Sequence, residues 1–206
     1  MRGVHETLGL LVALVLLGTG CATRGPHPLA WDALPFPRDS DWGGPKGLPA
    51  QIENGDLVLQ GREARTRSSY SVPLTIECEF LLEERVGTDG GLAIRLIPPD
   101  QPADSNITQT LYLVLSYRPS GEGIVKIQRC DGSWRANTVW DEKPFDLRVG
   151  KLNQLHIELQ RDGMRFTVNG QAFEAKDVAV PYDRFCIQLW GWQPVNRWHV
   201  RNFVVR

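Results

Sequence analysis

The chain of 206 residues carries no excess of either charge, no cysteine pair at CxxC spacing, no histidine pair at metal-ligand spacing and no sustained 3.6-residue apolar period. Each absence closes off a class. Lys and Arg total 23 against 24 Asp and Glu, a formal net charge of -1, so a basic surface for nucleic acid is not expected. The cysteines, at 21, 78, 130 and 186, fit neither a zinc site nor a dithiol redox motif, and no metal or cofactor is expected. No nucleophile elbow, P-loop, zincin helix, dinucleotide glycine pattern or EF-hand loop occurs, which removes the usual sequence support for most enzyme classes. Without a helical period, helix should be scarce.

What is there begins with an apolar run. Leu8 to Leu17 is ten residues, about half of what a membrane-spanning helix needs. Small residues follow at Gly18, Thr19 and Gly20, then Cys21, and the segment resembles a bacterial lipoprotein signal. The resemblance implies a signal peptide over 1–20, lipidation of Cys21, a proline-broken tether over 21–30 and one domain over 31–206. It also implies a lipid-anchored cell-envelope protein. With Ala22 rather than Asp after the cysteine, that means the outer membrane of a two-membrane cell, facing the periplasm or the exterior. An ordinary secretory signal is the alternative. Three cysteines then remain in the domain. Cys78 alternates with Ile76 and Phe80 as a core residue does, and pairing between Cys130 and Cys186 stays open.

Period-2 alternation recurs through the rest of the chain. Leu57 and Leu59 follow the turn Asn54-Gly55-Asp56, and Leu74, Ile76, Cys78, Phe80 and Leu82 alternate with Thr75, Glu77, Glu79 and Leu81. Leu92 to Leu96, Leu111 to Tyr117 and Ile124 to Gln128 give three more strands, and Phe185 to Trp190 and Trp198 to Val205 close the chain. Between them, Leu155 to Glu174 reads as a three-stranded meander, because Asp162-Gly163 and Asn169-Gly170 supply residues that tolerate the positive φ of tight hairpin turns. About ten short strands with little helix predict an all-β, antiparallel two-sheet jelly-roll sandwich, since one sheet of that size would leave an apolar face in water.

The fragments Asn54 to Leu59, Phe80 to Arg85, Gly90 to Arg95, Leu155 to Gly170 and Val200 to Val205 together resemble the concanavalin A-like, laminin-G-like jelly rolls of exported bacterial proteins. They are most similar to the domain of unknown function 1080 group, the 3-keto-disaccharide hydrolase-like family. That family often has Asn-Ser-Gly where this chain has Asp89-Gly90-Gly91, and His-Gly where it has Trp190-Gly191-Trp192. The resemblance implies a glycoside-acting hydrolase.

Two constellations could carry chemistry. Glu77, Glu79 and Glu83 share one parity, with neighbours about 6.5 to 7 Å apart along a strand. That fits the carboxyl separations of glycosidases, ~5 to 5.5 Å for retaining and ~6.5 to 9.5 Å for inverting enzymes. The set resembles the Glu-x-Asp-x-x-Glu strand of laminarinase-type jelly rolls, with Glu79 in place of the Asp and one extra residue before Glu83. The plainer reading is a solvated strand face. Second, Gln188, Trp190 and Trp192 have the parity opposite to the core residues Ile187 and Leu189. Indoles on a non-core face suit the C–H faces of sugar rings, and Trp134 and Trp140, flanking Arg135 and Asn137, would extend such a surface. The plainer reading puts these tryptophans between the sheets. His156 and His199 read as surface residues. The expectation is a domain that recognises an oligo- or polysaccharide, with a glycoside hydrolase and a structural or adhesive envelope protein as rivals.

Overall fold

The computed structural model describes residues 31–34, 50–88, 90–100, 110–130 and 136–206, so the signal, the tether, Cys21 and Trp134 lie outside the described residues. Fourteen strands run through these segments and no helix is present among them. They are β1 (Trp31–Leu34), β2 (Gln51–Glu53), β3 (Asp56–Leu59), β4 (Arg62–Thr66), β5 (Leu74–Leu82), β6 (Gly91–Ile97) and β7 (Thr110–Tyr117), followed by β8 (Gly123–Cys130), β9 (Ala136–Phe145), β10 (Asn153–Leu159), β11 (Gly163–Val168), β12 (Gln171–Lys176), β13 (Cys186–Trp192) and β14 (Trp198–Val205). Seven form a front sheet in the order β1-β4-β13-β6-β7-β8-β9, and seven a back sheet in the order β12-β11-β10-β5-β14-β3-β2. All pairings are antiparallel. The fold is the all-β, two-sheet jelly roll that the alternation predicts.

The core is made as the period-2 pattern dictates. On β5 the residues Leu74, Ile76, Cys78, Phe80 and Leu82 are buried while Thr75, Glu77 and Glu79 reach solvent. They meet Leu92, Ile94, Leu113, Leu115, Ile187 and Leu189 of the front sheet in one cluster. Trp198 is fully buried there, its ring centroid 6.2 Å from that of Phe80. Cys78, Cys130 and Cys186 are all buried and outside any disulfide, and burial pushes the Cys78 thiol up to about 12, so it behaves as a small apolar residue.

Three features depart from the sequence expectation. The meander over β10, β11 and β12 is present, and Asn169 and Gly170 take the expected positive φ of 51° and 83°. Gly163 does not: it is the first residue of β11, and it must be glycine because a Cβ there would lie 2.8 Å from the Ala175 carbonyl oxygen. Alternation does not reveal β4, Arg-Glu-Ala-Arg-Thr, whose polar sequence resembles a loop. Nor does it reveal β9, an almost wholly exposed edge strand, where Pro144 is tolerated because an edge leaves one side of the ladder open.

Candidate functional site

The two outer faces of the sandwich divide the candidate residues between them. In the front sheet, register sets Gln188 opposite Arg95 on β6 and Arg65 on β4, Trp190 opposite Ala93 and Glu63, and Trp192 opposite Gly91. Across β6 the same face continues through Tyr112, Val114 and Ser116 of β7 to Gln128 and Lys126 of β8. Gln188, Trp190 and Trp192 therefore share the face opposite to that of Ile187 and Leu189.

The small residues of β6 determine how the indoles lie. A Cβ at Gly91 would stand 2.0 Å from the Cη2 atom of Trp192, so only glycine lets this ring extend across β6. There it packs against a second apolar cluster of Tyr112, Val114 and Cys130. Ala93 leaves similar room opposite Trp190, and the two indoles meet with centroids 5.7 Å apart at 48°. Both remain partly exposed. Gly91, the first residue of β6, serves this packing.

Beneath the rings is a polar network that the sequence reading missed. Glu63, Arg95 and Gln188 are each no more than 4% exposed. The Arg95 guanidinium donates from Nη1 to Glu63 Oε1 at 2.9 Å, and Gln188 Nε2 donates to Glu63 Oε2 at 2.7 Å. The Arg95 Cζ lies 4.9 Å from the centroid of the Tyr112 ring and 5.0 Å from that of Trp190, the geometry of cation–π contacts on two sides. Burial pushes the Glu63 carboxyl above its ordinary range, with the attraction and hydrogen bond of Arg95 offsetting part of the rise. Burial also pushes the Tyr112 phenol up to about 12. Among the described residues Glu63 is the only buried carboxylate. Its sequence signal was weak, because Arg62-Glu63 follows Gly61 in a stretch that looks like a polar loop.

The glutamates singled out in sequence stand on the other side of the molecule. Glu77 and Glu79 are on the outer face of the back sheet, and Glu83 follows β5 at its end. Glu77 accepts from Arg206 at 2.5 Å and faces His156 Nδ1 at 3.4 Å. Glu79 accepts from Asn202 at 2.8 Å. Glu83 accepts from Arg197 at 2.9 Å and lies 2.7 Å from His199 Nε2. These are solvent-reaching carboxylates, Glu77 and Glu83 in ion pairs and Glu79 in a hydrogen bond, on the sheet opposite the tryptophans. His199 is less exposed than its sequence context implies, held between Asp56 and Glu83. Trp140 is also set apart: it is level with Ile127 on the core side and makes edge contacts with Phe166 and Phe173 at 5.7 and 6.2 Å, so it closes the edge of the core and adds nothing to the aromatic face.

Neither a family model nor a curated protein matches the chain. Solved structures do match it in fold. The carbohydrate binding module CBM66 from Bacillus subtilis superposes with a TM-score of 0.52 at 16% identity, over 85% of this chain and 94% of that one. A legume lectin-like domain from Entamoeba histolytica gives 0.59 at 9% identity, over 85% and 89%. A native glycosidic hydrolase gives 0.58 at 15% identity, over 85% and 88%. At such identities the likeness is one of fold, and the chain has the concanavalin A-like jelly roll that lectin-like domains and glycoside hydrolases share.

Proposed function

We propose that this chain is a lipid-anchored carbohydrate-recognition domain whose sugar platform is the outer face of the front sheet. The observation that carries the reading is Trp192 laid across Gly91 beside Trp190, a pair of partly exposed rings over a fixed polar floor. Sugar rings stack on such surfaces while their hydroxyls bond nearby polar groups, and pockets of this composition are the usual form of small-ligand sites. Similarity in fold to a carbohydrate-binding module and to a lectin-like domain supports the same class of ligand. A glycan array on the wild-type protein and on Trp192→Ala tests it. Binding that is lost in a variant still folded at the assay temperature supports the platform; binding retained by that variant overturns it.

The anchor rests on the sequence from Leu8 to Cys21. Mass spectrometry of the mature protein should find a diacylglyceryl-modified Cys21 at the N-terminus, and an unmodified terminus at another residue would remove the anchor.

A glycoside hydrolase of the 3-keto-disaccharide hydrolase-like family is the second reading, favoured by one observation. Glu63 is a buried carboxyl with a raised pKa on the aromatic face, as a general acid requires. It ranks below recognition because both Glu63 oxygens already accept hydrogen bonds, and Glu77, Glu79 and Glu83 lie across the sandwich. Disaccharide cleavage that disappears in Glu63→Gln would reverse the ranking.

A further inference from the structure

The charges beneath Trp190 and Trp192 cancel within the protein, and we infer from this that the site takes uncharged sugars, with Glu63 acting as the filter that excludes uronic acids and other anionic rings. The inference rests on the carbohydrate reading above. Arg95 and Gln188 stand directly opposite one another on β6 and β13, and both donate to Glu63, one to each oxygen. The guanidinium is therefore neutralised before any ligand arrives, and it lies within cation–π distance of both the Tyr112 and the Trp190 ring. An anionic group seated on the rings would give up its hydration and find no net positive charge in return, because Glu63 already compensates Arg95 at 2.9 Å.

Two further cations of this face, Arg65 opposite Gln188 and Lys126 opposite Val114, are on the flanking strands β4 and β8, and Lys126 is near enough to Glu142 to lower its pKa.

Immobilised neutral oligosaccharides and uronic-acid oligosaccharides of matched length, titrated with wild-type protein, Glu63→Gln and Trp192→Ala, test the filter. Wild type should bind its best neutral ligand more than about tenfold tighter than any uronate, a difference of about 1.4 kcal/mol. Its binding should change little with ionic strength. Glu63→Gln keeps an acceptor for Arg95 and removes the charge, so the preference should fall by about tenfold or more, through gained uronate binding. A melting curve identifies a variant that fails to fold, and the salt dependence and ligand preference of the wild type then decide alone. Salt-sensitive uronate binding that Trp192→Ala abolishes would overturn the filter and leave the platform standing. An unchanged preference in folded Glu63→Gln would remove Glu63 from the role. Binding to neither class would overturn the platform and the filter together.

Discussion

Glu63 and Glu79 are both strand glutamates turned away from the inter-sheet core, yet Glu63 is buried between Arg95 and Gln188 opposite Trp190 while Glu79 meets Asn202 at the solvent boundary. The front face has small residues, Gly91 and Ala93, where the back face has ion-pairing side chains. Rings can lie down over the former and exclude water from the charges below. On the back sheet Glu77 and Glu83 pair with Arg206, Arg197 and His199, and the partly covered Asp56 pairs with Arg201. The same functional group thus becomes a site component or a solubilising one according to what its cross-strand neighbours leave room for.

The comparison breaks most sharply at the carboxylates. Glu63→Ala leaves a buried guanidinium without its partner and is expected to cost about 3 to 5 kcal/mol of stability. Glu79→Ala on the back face, which removes an exposed hydrogen bond with Asn202, should cost about 0 to 0.5 kcal/mol, as surface substitutions do. Urea denaturation of the two variants checks this, and equal losses would mean that Glu63 is not held as the structure has it.

Two glycines sharpen the contrast. Gly91→Ala drives a methyl group into the Trp192 indole and Gly163→Ala drives one into the Ala175 carbonyl, and each is expected to cost about 1 to 3 kcal/mol through overpacking. Only Gly91→Ala should alter tryptophan fluorescence and ligand binding, because only that glycine lies under a ring of the front face. Altered binding in Gly163→Ala would detach the platform from its proposed position.

The smallest effect is one of pH. Burial holds Glu63 above its ordinary value of 4.5 in the folded chain, so the native state keeps this proton longer than the unfolded state does. That contribution to stability is fully present below the unfolded value and is lost as pH rises through the folded one. Glu142, held low by the hydrogen bond from Arg118, works in the opposite sense: its contribution is present above 4.5 and fades as pH falls. Melting curves taken from acid to neutral pH should show the wild type losing ground to Glu63→Gln on the way up. A constant gap would mean that Glu63 does not titrate with folding.

Much of this was legible from alternation alone. Leu74 to Leu82 on β5 and Leu155 to Leu159 on β10 follow the period-2 pattern without exception, and opposite parity placed Trp190 and Trp192 on a non-core face. What was not legible is what two-sided burial hides. β6 and β7 are buried on both faces, so parity could not say that Arg95 and Tyr112 belong with the tryptophans. The polar sequence of β4 concealed that Glu63 is inside, since a charge is buried only when its partner arrives from a strand distant in sequence. Trp140 was misassigned for the converse reason: a strand with polar residues at both parities gives no signal of which way its one ring turns.

The most direct measurement is a calorimetric titration of the best-binding neutral oligosaccharide into wild type, Trp192→Ala and Glu79→Gln. Loss of one stacking ring is expected to weaken binding by about 1 to 3 kcal/mol, by analogy with base stacking on aromatic side chains, or roughly 5- to 150-fold. Glu79→Gln should bind as the wild type does. Affinity retained by Trp192→Ala and lost in Glu79→Gln would move the site to the back sheet and contradict the assignment of function to the aromatic face.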